Sequence, residues 1–273
     1  MAPIKAIDSE RMRDNFSSHA GDYDGYASVQ KRVAELLCAR VSGIERKPGP
    51  LLDIGTGTGA LAAAILRAEP DHQLVIMDIA HGMTCAAASR LSVASACDGD
   101  ASVLPFVDEA FARVVSSSVY QWVACLPTAF AEVFRVLKPG GLFAMALFGD
   151  RTLCELRDSH SQAVAEKSAG QTSHVQSFPT PGEVCAAVGS AGLLCRELYS
   201  AMEVEYHSDV SDLLRHLKKI GANNAATERP RGLASRLVMQ SMMRMYEERH
   251  RCDAGLPASY EVIVVIAEKP GYL

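Results

Sequence analysis

The residues of this chain that could do chemistry begin with LLDIGTGTGAL. Asp53 stands near the end of an apolar run, and Gly55, Gly57 and Gly59 follow at alternate positions before a helix-like stretch. Glycines so spaced let the backbone turn tightly and let a ligand approach main-chain N–H groups at a helix start. Asp78 closes a second apolar run, LVIMD, where a carboxylate can accept hydrogen bonds from both hydroxyls of a ribose. A third acid, Asp100, sits in CDGDASVLPF. This is equipment for holding a nucleoside. Position 60 is Ala, so the loop fits a phosphate-cradling dinucleotide loop and a phosphate-free nucleoside site about equally.

These residues need strands to end where they do, and the hydrophobic pattern supplies them. Residues 8–47 read as helical, with Val29, Val33, Leu36 and Leu37 on one side and Lys31, Arg32 and Glu35 on the other. KPGP at 47–50 breaks that stretch. Strands are expected at 51–54, 73–78, 93–97, 111–117 and 142–148, alternating with helices at 58–68, 81–91 and 127–137, with KPGG at 138–141 as a turn. Such alternation implies a mostly parallel sheet covered on both faces. Further on, TLCELRDSHSQAVAEK, PGEVCAAVGSAG and SDVSDLLRHLKKIGANN read as helices, and LCRELYSAMEVEYH and YEVIVVIAEK as strands. The whole is one α/β domain over 1–273: a helical lid to residue 47, a cofactor-binding half over 48–150, and a substrate-side half over 151–273. A helical insertion occupies about 222–255.

Length and composition limit the alternatives. With 273 residues, 48% of them hydrophobic, the chain can bury a sizeable core. A net charge of −5 argues against a general nucleic-acid or membrane-surface binder. The eight cysteines contain no CxxC pair and mostly sit in apolar runs, which predicts reduced, core-packed thiols, a cytoplasmic protein and no metal site. MAPIKAIDSERMRD carries charge too early for a signal peptide, and no apolar run approaches the ~18 residues that span a bilayer.

The segment GDASVLPF around Asp100 resembles the G-D-A-x-x-L-P-F segment of class I S-adenosylmethionine-dependent methyltransferases, and KPGG after FAEVFRVL is similar to the same family. The resemblance implies a Rossmann-like fold with a mostly parallel seven-stranded sheet and S-adenosylmethionine as cofactor, leaving as S-adenosylhomocysteine. It places Gly55, Gly57 and Gly59 along the methionine part, Asp78 and Asp100 at the nucleoside, and Asp53, Thr56, Ile79 and Ala101 beside them. SSSVYQW would pass under the cofactor with backbone near Ser116 and Ser117.

Within that superfamily, the chain resembles the malonyl-acyl-carrier-protein O-methyltransferases of early biotin synthesis. Phe16, Ala20, Tyr23, Asp24, Ala27 and Gln30 match that family's F-x-x-x-A-x-x-Y-D-x-x-A-x-x-Q pattern, and LFGDRTLCELR, LLRHLKKIGANN and LPASYEVIVV match further on. Ser117 departs from the expected Asn. The resemblance implies a malonyl thioester as acceptor, on acyl carrier protein or coenzyme A, with Tyr23 and Arg157 as catalytic candidates and Gln121 and Trp122 near the substrate. Lys218 and Lys219 are candidates for touching an acidic carrier, as are Arg215, Arg231, Arg236 and Arg244. Met242, Met243 and Met245 read as packing, and His19 and His216 as structural or exposed. Three other readings stay open: a methyltransferase for another small carboxylic acid or a quinone ring carbon, a non-catalytic nucleoside-binding module, and a dehydrogenase.

Overall fold

The computed structural model describes residues 8–44, 47–91, 95–167, 177–221 and 236–271. The first helices are α1 (Ser9–His19), a 3-10 turn (Tyr23–Gly25) and α2 (Ser28–Ser42). The stretch that reads as helical is thus two helices with a turn between them over residues 8–44. Asp8 caps α1 by accepting the Arg11 N–H at 3.1 Å. Val29, Val33, Leu37 and Val41, one turn apart, bury the inner face of α2.

The alternating core follows in chain order: β1 (Leu51–Ile54), α3 (Ala60–Ala68), β2 (Leu74–Asp78), α4 (His81–Leu91), β3 (Ser95–Asp98) and β4 (Phe111–Ser117). A second 3-10 turn (Tyr120–Trp122) leads to α5 (Leu126–Val136) and β5 (Leu137–Phe148). The strand β5 takes in KPGG, because Leu137 already pairs with Phe111 before the register shifts and Leu142 pairs with Arg113. Then come α6 (Cys154–Lys167), α7 (Pro181–Ser190), β6 (Leu194–His207), α8 (Val210–Lys219), α9 (Arg236–His250) and β7 (Leu256–Glu268). Thr180 and Glu183 form a reciprocal capping box at α7, and Asp209 caps α8. Of the expected insertion, 222–235 lies outside the described residues, α9 accounts for the helical part, and β7 begins at Leu256.

The seven strands form one sheet in the order β3-β2-β1-β4-β5-β7-β6. All neighbours through β5 are parallel, and β7 runs antiparallel between β5 and β6. One face is covered by α2, α3, α6, α8 and α9, the other by α5 and α7. Every residue of LLDI in β1 is buried, as expected of a parallel strand covered on both sides. Met242 and Met245 are buried in the first cluster, with Met243 partly buried against it, so the methionines are packing.

Two features run against the sequence reading or beyond it. Of the eight free cysteines only Cys38 is buried, while Cys85, Cys125, Cys185, Cys195 and Cys252 are exposed. An apolar run on an amphipathic element still puts alternate or third residues in water, and these thiols fall there. Behind the sheet, Arg113 of β4 donates to both carboxylate oxygens of Glu69, which follows α3, and both side chains are almost wholly buried. Among the described residues no helix is long and apolar enough to cross a membrane.

Candidate active site

The chain runs outward from β1 to β3 in one direction and returns to place β4 on the other side of β1. Such a reversal opens a crevice at the carboxyl ends of the strands. Here that crevice is a cavity walled by Asp53 to Thr58, Asp78 and Ile79, Gly99 to Ser102 and Ser117 to Val119, with Trp122 at the side.

The glycine loop is built into this wall. Gly55, Gly57 and Gly59 all have positive φ, at 66°, 56° and 85°. A Cβ on Gly55 would lie 2.2 Å from a Val119 methyl, so only glycine fits there. Four of the five loop amides from Gly55 to Gly59 are bonded inside the protein. Gly55 and Thr56 donate to the Met77 carbonyl at 2.7 and 3.0 Å, Gly57 to Asp78 Oδ2 at 2.8 Å, and Gly59 to the Thr56 carbonyl at 2.9 Å. A phosphate cradle needs those amides pointing at the ligand. The dehydrogenase reading loses its main support.

The wall is acidic instead. Asp78 accepts the Gly57 and Ala80 amides, yet burial still raises its pKa to about 6. Asp53 accepts the Thr56 hydroxyl at 2.9 Å on Oδ2, while Oδ1 is buried without a hydrogen-bond partner. Burial raises Asp53 to about 7 against the Thr56 bond, and the charge of Asp78 adds to it. A buried carboxylate oxygen left bare at a cavity is a seat for a cation. Asp100 is exposed at the mouth, its Oδ1 accepting the Ser102 amide at 2.7 Å, with Ala101 buried beside it. That leaves Oδ2 for a donor from outside.

The exit of β4 differs in detail from expectation. Ser116 is fully buried and donates to the Ile54 carbonyl at 2.9 Å, so it faces the sheet and not the cavity. Ser117 and Ser118 supply the wall, and Ser118 takes φ 61°. Gln121 is buried, with its amide donated to the Ser118 carbonyl at 2.7 Å; it shapes the turn without lining the cavity.

The helical lid closes the cavity from above with Ser9, Met12, Phe16, Tyr23, Gln30 and Ala34. Phe16 meets Trp122 edge to face with ring centres 5.5 Å apart, and Tyr23 at 6.5 Å. Burial, then the charges of Asp78 and Asp24, push the Tyr23 phenol up, so it stays a neutral donor. Sequence reasoning missed the fastenings of this lid. Asp24 accepts the Thr58 hydroxyl at 2.7 Å and an Arg90 N–H at 3.1 Å, and Gly82 donates to Ser17 Oγ at 3.1 Å. The Y-D pair was the available signal for Asp24; nothing local marked Thr58 or Arg90.

Besides Ser116 and Gln121, four expected site residues lie outside the wall: Gly59, Arg157, Lys218 and Lys219. Arg157 on α6 donates to the Asp150 carbonyl on the loop after β5. Lys218 is exposed, and Lys219 pairs with Asp22 at 3.1 Å, fixing the end of α8 to the lid. Of the other cationic candidates, Arg231 lies outside the described residues. His19 and His216 hold structure: His19 Nδ1 lies 2.7 Å from the Asn15 carbonyl, and His216 lies 3.4 Å from Glu205 and stacks edge to face on Tyr26.

The sheet order, the bonded glycine loop and the acidic cavity wall define a methyltransferase domain, and the family model described as "Methyltransferase domain" matches residues 52–145. The solved YcgJ protein of Bacillus subtilis has the same fold, with a TM-score of 0.59 at 17% identity over 88% of this chain and 99% of that one. The malonyl-[acyl-carrier protein] O-methyltransferase of Geobacter sulfurreducens is 42% identical over 96% of this chain and all of its own length. The biotin biosynthesis bifunctional protein BioHC of Teredinibacter turnerae is 35% identical over 98% of this chain, which spans 48% of that longer protein. This chain belongs to the malonyl-[acyl-carrier protein] O-methyltransferase family.

Proposed function

We propose that this chain methylates the free carboxylate of a malonyl thioester carried on acyl carrier protein, using S-adenosylmethionine, as an early step of biotin synthesis in the cytoplasm. The observation that carries the cofactor reading is the pair of buried carboxylates, with Asp53 Oδ1 bare, beside a loop whose Gly55, Thr56, Gly57 and Gly59 amides are already bonded within the protein. A cationic, phosphate-free nucleoside fits that wall. Asp53 would take its ammonium group, Asp78 the ribose hydroxyls, and Asp100 with Ala101 the adenine edge. Gly55, Thr56, Gly57, Gly59, Ile79 and Ser117 would pack along it.

When bound, S-adenosylmethionine supplies an electrophilic methyl group on a sulfonium. The acceptor carboxylate is ionised at neutral pH, so no residue need remove a proton. The work of the chain is alignment and exclusion of water, for which well-oriented models reach roughly 7–11 kcal/mol. Phe16, Trp122 and Met12 make the chamber apolar, and the neutral Tyr23 phenol orients the carboxylate without blunting it. Arg157 is proposed to receive the acceptor's far side as it enters, and Lys218 the carrier's acidic surface. The lid over 1–47, the cofactor half over 48–150 and the acceptor side over 151–273 divide these tasks.

The test is methyl transfer from labelled S-adenosylmethionine to malonyl carrier protein, with succinyl and acetyl carrier protein and malonyl coenzyme A alongside. A base-labile methyl ester on malonyl carrier protein, absent with the acetyl form, is the expected result. No transfer despite cofactor binding moves the acceptor elsewhere. Wild-type kcat/KM in both Tyr23→Phe and Arg157→Ala removes those two residues from the mechanism.

A further inference from the structure

On the outer side of α4, away from the cavity wall, three side chains stand in a line. Cys85 Sγ lies 3.4 Å from His81 Nε2, and His81 Nδ1 lies 2.7 Å from Asp98 Oδ2. Cys85 and His81 are one helical turn apart on α4, and Asp98 comes from the end of β3. None of the three walls the cavity, and methyl transfer uses none of them.

The order matters chemically. A carboxylate on Nδ1 takes that nitrogen's hydrogen and leaves Nε2 with its lone pair toward the thiol. Asp98 also stabilises the imidazolium that forms when Nε2 takes a proton. A nucleophile, a base and an orienting acid so arranged follow the logic of activated nucleophiles in general. The group is open to solvent: Cys85 is exposed, and the His81 and Asp98 side chains are 75% and 47% exposed. A small reagent reaches the sulfur freely.

We infer that Cys85, His81 and Asp98 form a reactive-thiol site that takes small disulfides. His81 accepts the thiol proton as the sulfur attacks one sulfur of the disulfide R–S–S–R. A Cys85–S–S–R bond forms, the original S–S bond breaks, and R–S⁻ leaves and recovers the proton from His81. Cys85 is oxidised to a mixed disulfide, and half of the reagent is reduced to thiol.

The exposed cysteines elsewhere in the chain serve as controls within one molecule. Limited reaction with iodoacetamide at pH 7, followed by peptide mass spectrometry, gives a rate for each cysteine. Cys85 is expected to react about tenfold faster than Cys185 and Cys252, because a base within hydrogen-bond reach assists the attacking thiol. In H81Q the Cys85 rate falls to within about twofold of those controls, D98N gives an intermediate rate, and the controls do not move, which also reports an intact fold. Oxidised glutathione adds one glutathionyl group at Cys85 in the wild type, and much more slowly in H81Q. Equal rates at Cys85, Cys185 and Cys252 in the wild type, or an unchanged Cys85 rate in H81Q, would overturn the proposal.

Discussion

The Thr58 hydroxyl donates to the Asp24 carboxylate at 2.7 Å, fastening the turn that bears Tyr23 to the loop that bears Gly55, Gly57 and Gly59. Arg90 of α4 grips the other oxygen of Asp24 at 3.1 Å and also reaches the Thr58 carbonyl at 3.3 Å. Lid and loop are thus one mechanical unit. Thr58→Val keeps the shape and removes the donor. A partly exposed bond to a charged acceptor is worth about 1 kcal/mol, or about fivefold in affinity. The dissociation constant for S-adenosylmethionine, measured by calorimetry, should rise by about that factor in Thr58→Val, and Thr58→Ser should restore it.

Gly82 is where α1 lies on α4. A Cβ there would meet the Ser17 carbonyl at 2.7 Å, a backbone atom that cannot turn aside. Gly82→Ala should lift α1 at a cost of about 1–3 kcal/mol, the usual range for overpacking. Steady-state kinetics are expected to show a lower kcat and a higher KM for the acceptor. Unchanged kinetics would mean that α1 tolerates displacement.

Asp53 sets a pH dependence. Burial raises it to about 7, above its value of 3.8 when unfolded. The folded protein therefore binds more protons than the unfolded chain between those values, and stability falls as pH rises through that window. Asp78, raised to about 6, acts in the same direction. Asp53→Asn removes the buried charge and should raise Tm at pH 8 by roughly 3 °C, on the scale of ~1 kcal/mol in a chain this size. The same variant should bind S-adenosylmethionine much more weakly, because the seat for the cation is gone. For the wild type, affinity should decline as pH drops below about 7, since binding a cation there requires the carboxylate ionised.

Arg113 and Glu69 form a buried pair behind the sheet. His72 lies against both, 3.7 Å from Glu69 and 3.0 Å from Arg113, so removing Arg113 breaks a buried charged cluster, at a cost of about 3–5 kcal/mol. Arg113→Met should fall in that range by urea denaturation, while the double variant Arg113→Met with Glu69→Leu should recover most of the loss. A single variant costing no more than a surface substitution would show that His72 or water takes the place of the lost partner.

How much of this was legible in the sequence follows from how local the physics is. The strand FARVVSS and the helix His81–Leu91 fall where the pattern puts them: burial on both faces marks the strand, and Met83, Thr84 and Ala87 give the helix one buried side. KPGG reads as a turn, yet belongs to β5, because Leu137 pairs with a β4 residue that no local window sees. The acids Asp53, Asp78 and Asp100 line one cavity as their strand-end positions predict. The Asp24–Thr58 and Gly82–Ser17 contacts join residues 34 and 65 positions apart, so spacing along the chain says nothing of them. Ser116 and Ser117 look alike in sequence, but alternation along β4 sends one into the sheet and leaves the other at the cavity.

The inward-turned amides of the glycine loop also decide what this site ignores. Phosphorylated adenine nucleotides share the adenosine that Asp78 and Asp100 are proposed to hold. A phosphate chain laid along this loop would find the Gly55, Thr56, Gly57 and Gly59 amides already bonded, and would face the two buried carboxylates of Asp53 and Asp78. Selectivity here is made by repulsion as much as by fit, so the enzyme should keep working in a background of adenine nucleotides that would fill an ordinary dinucleotide crevice.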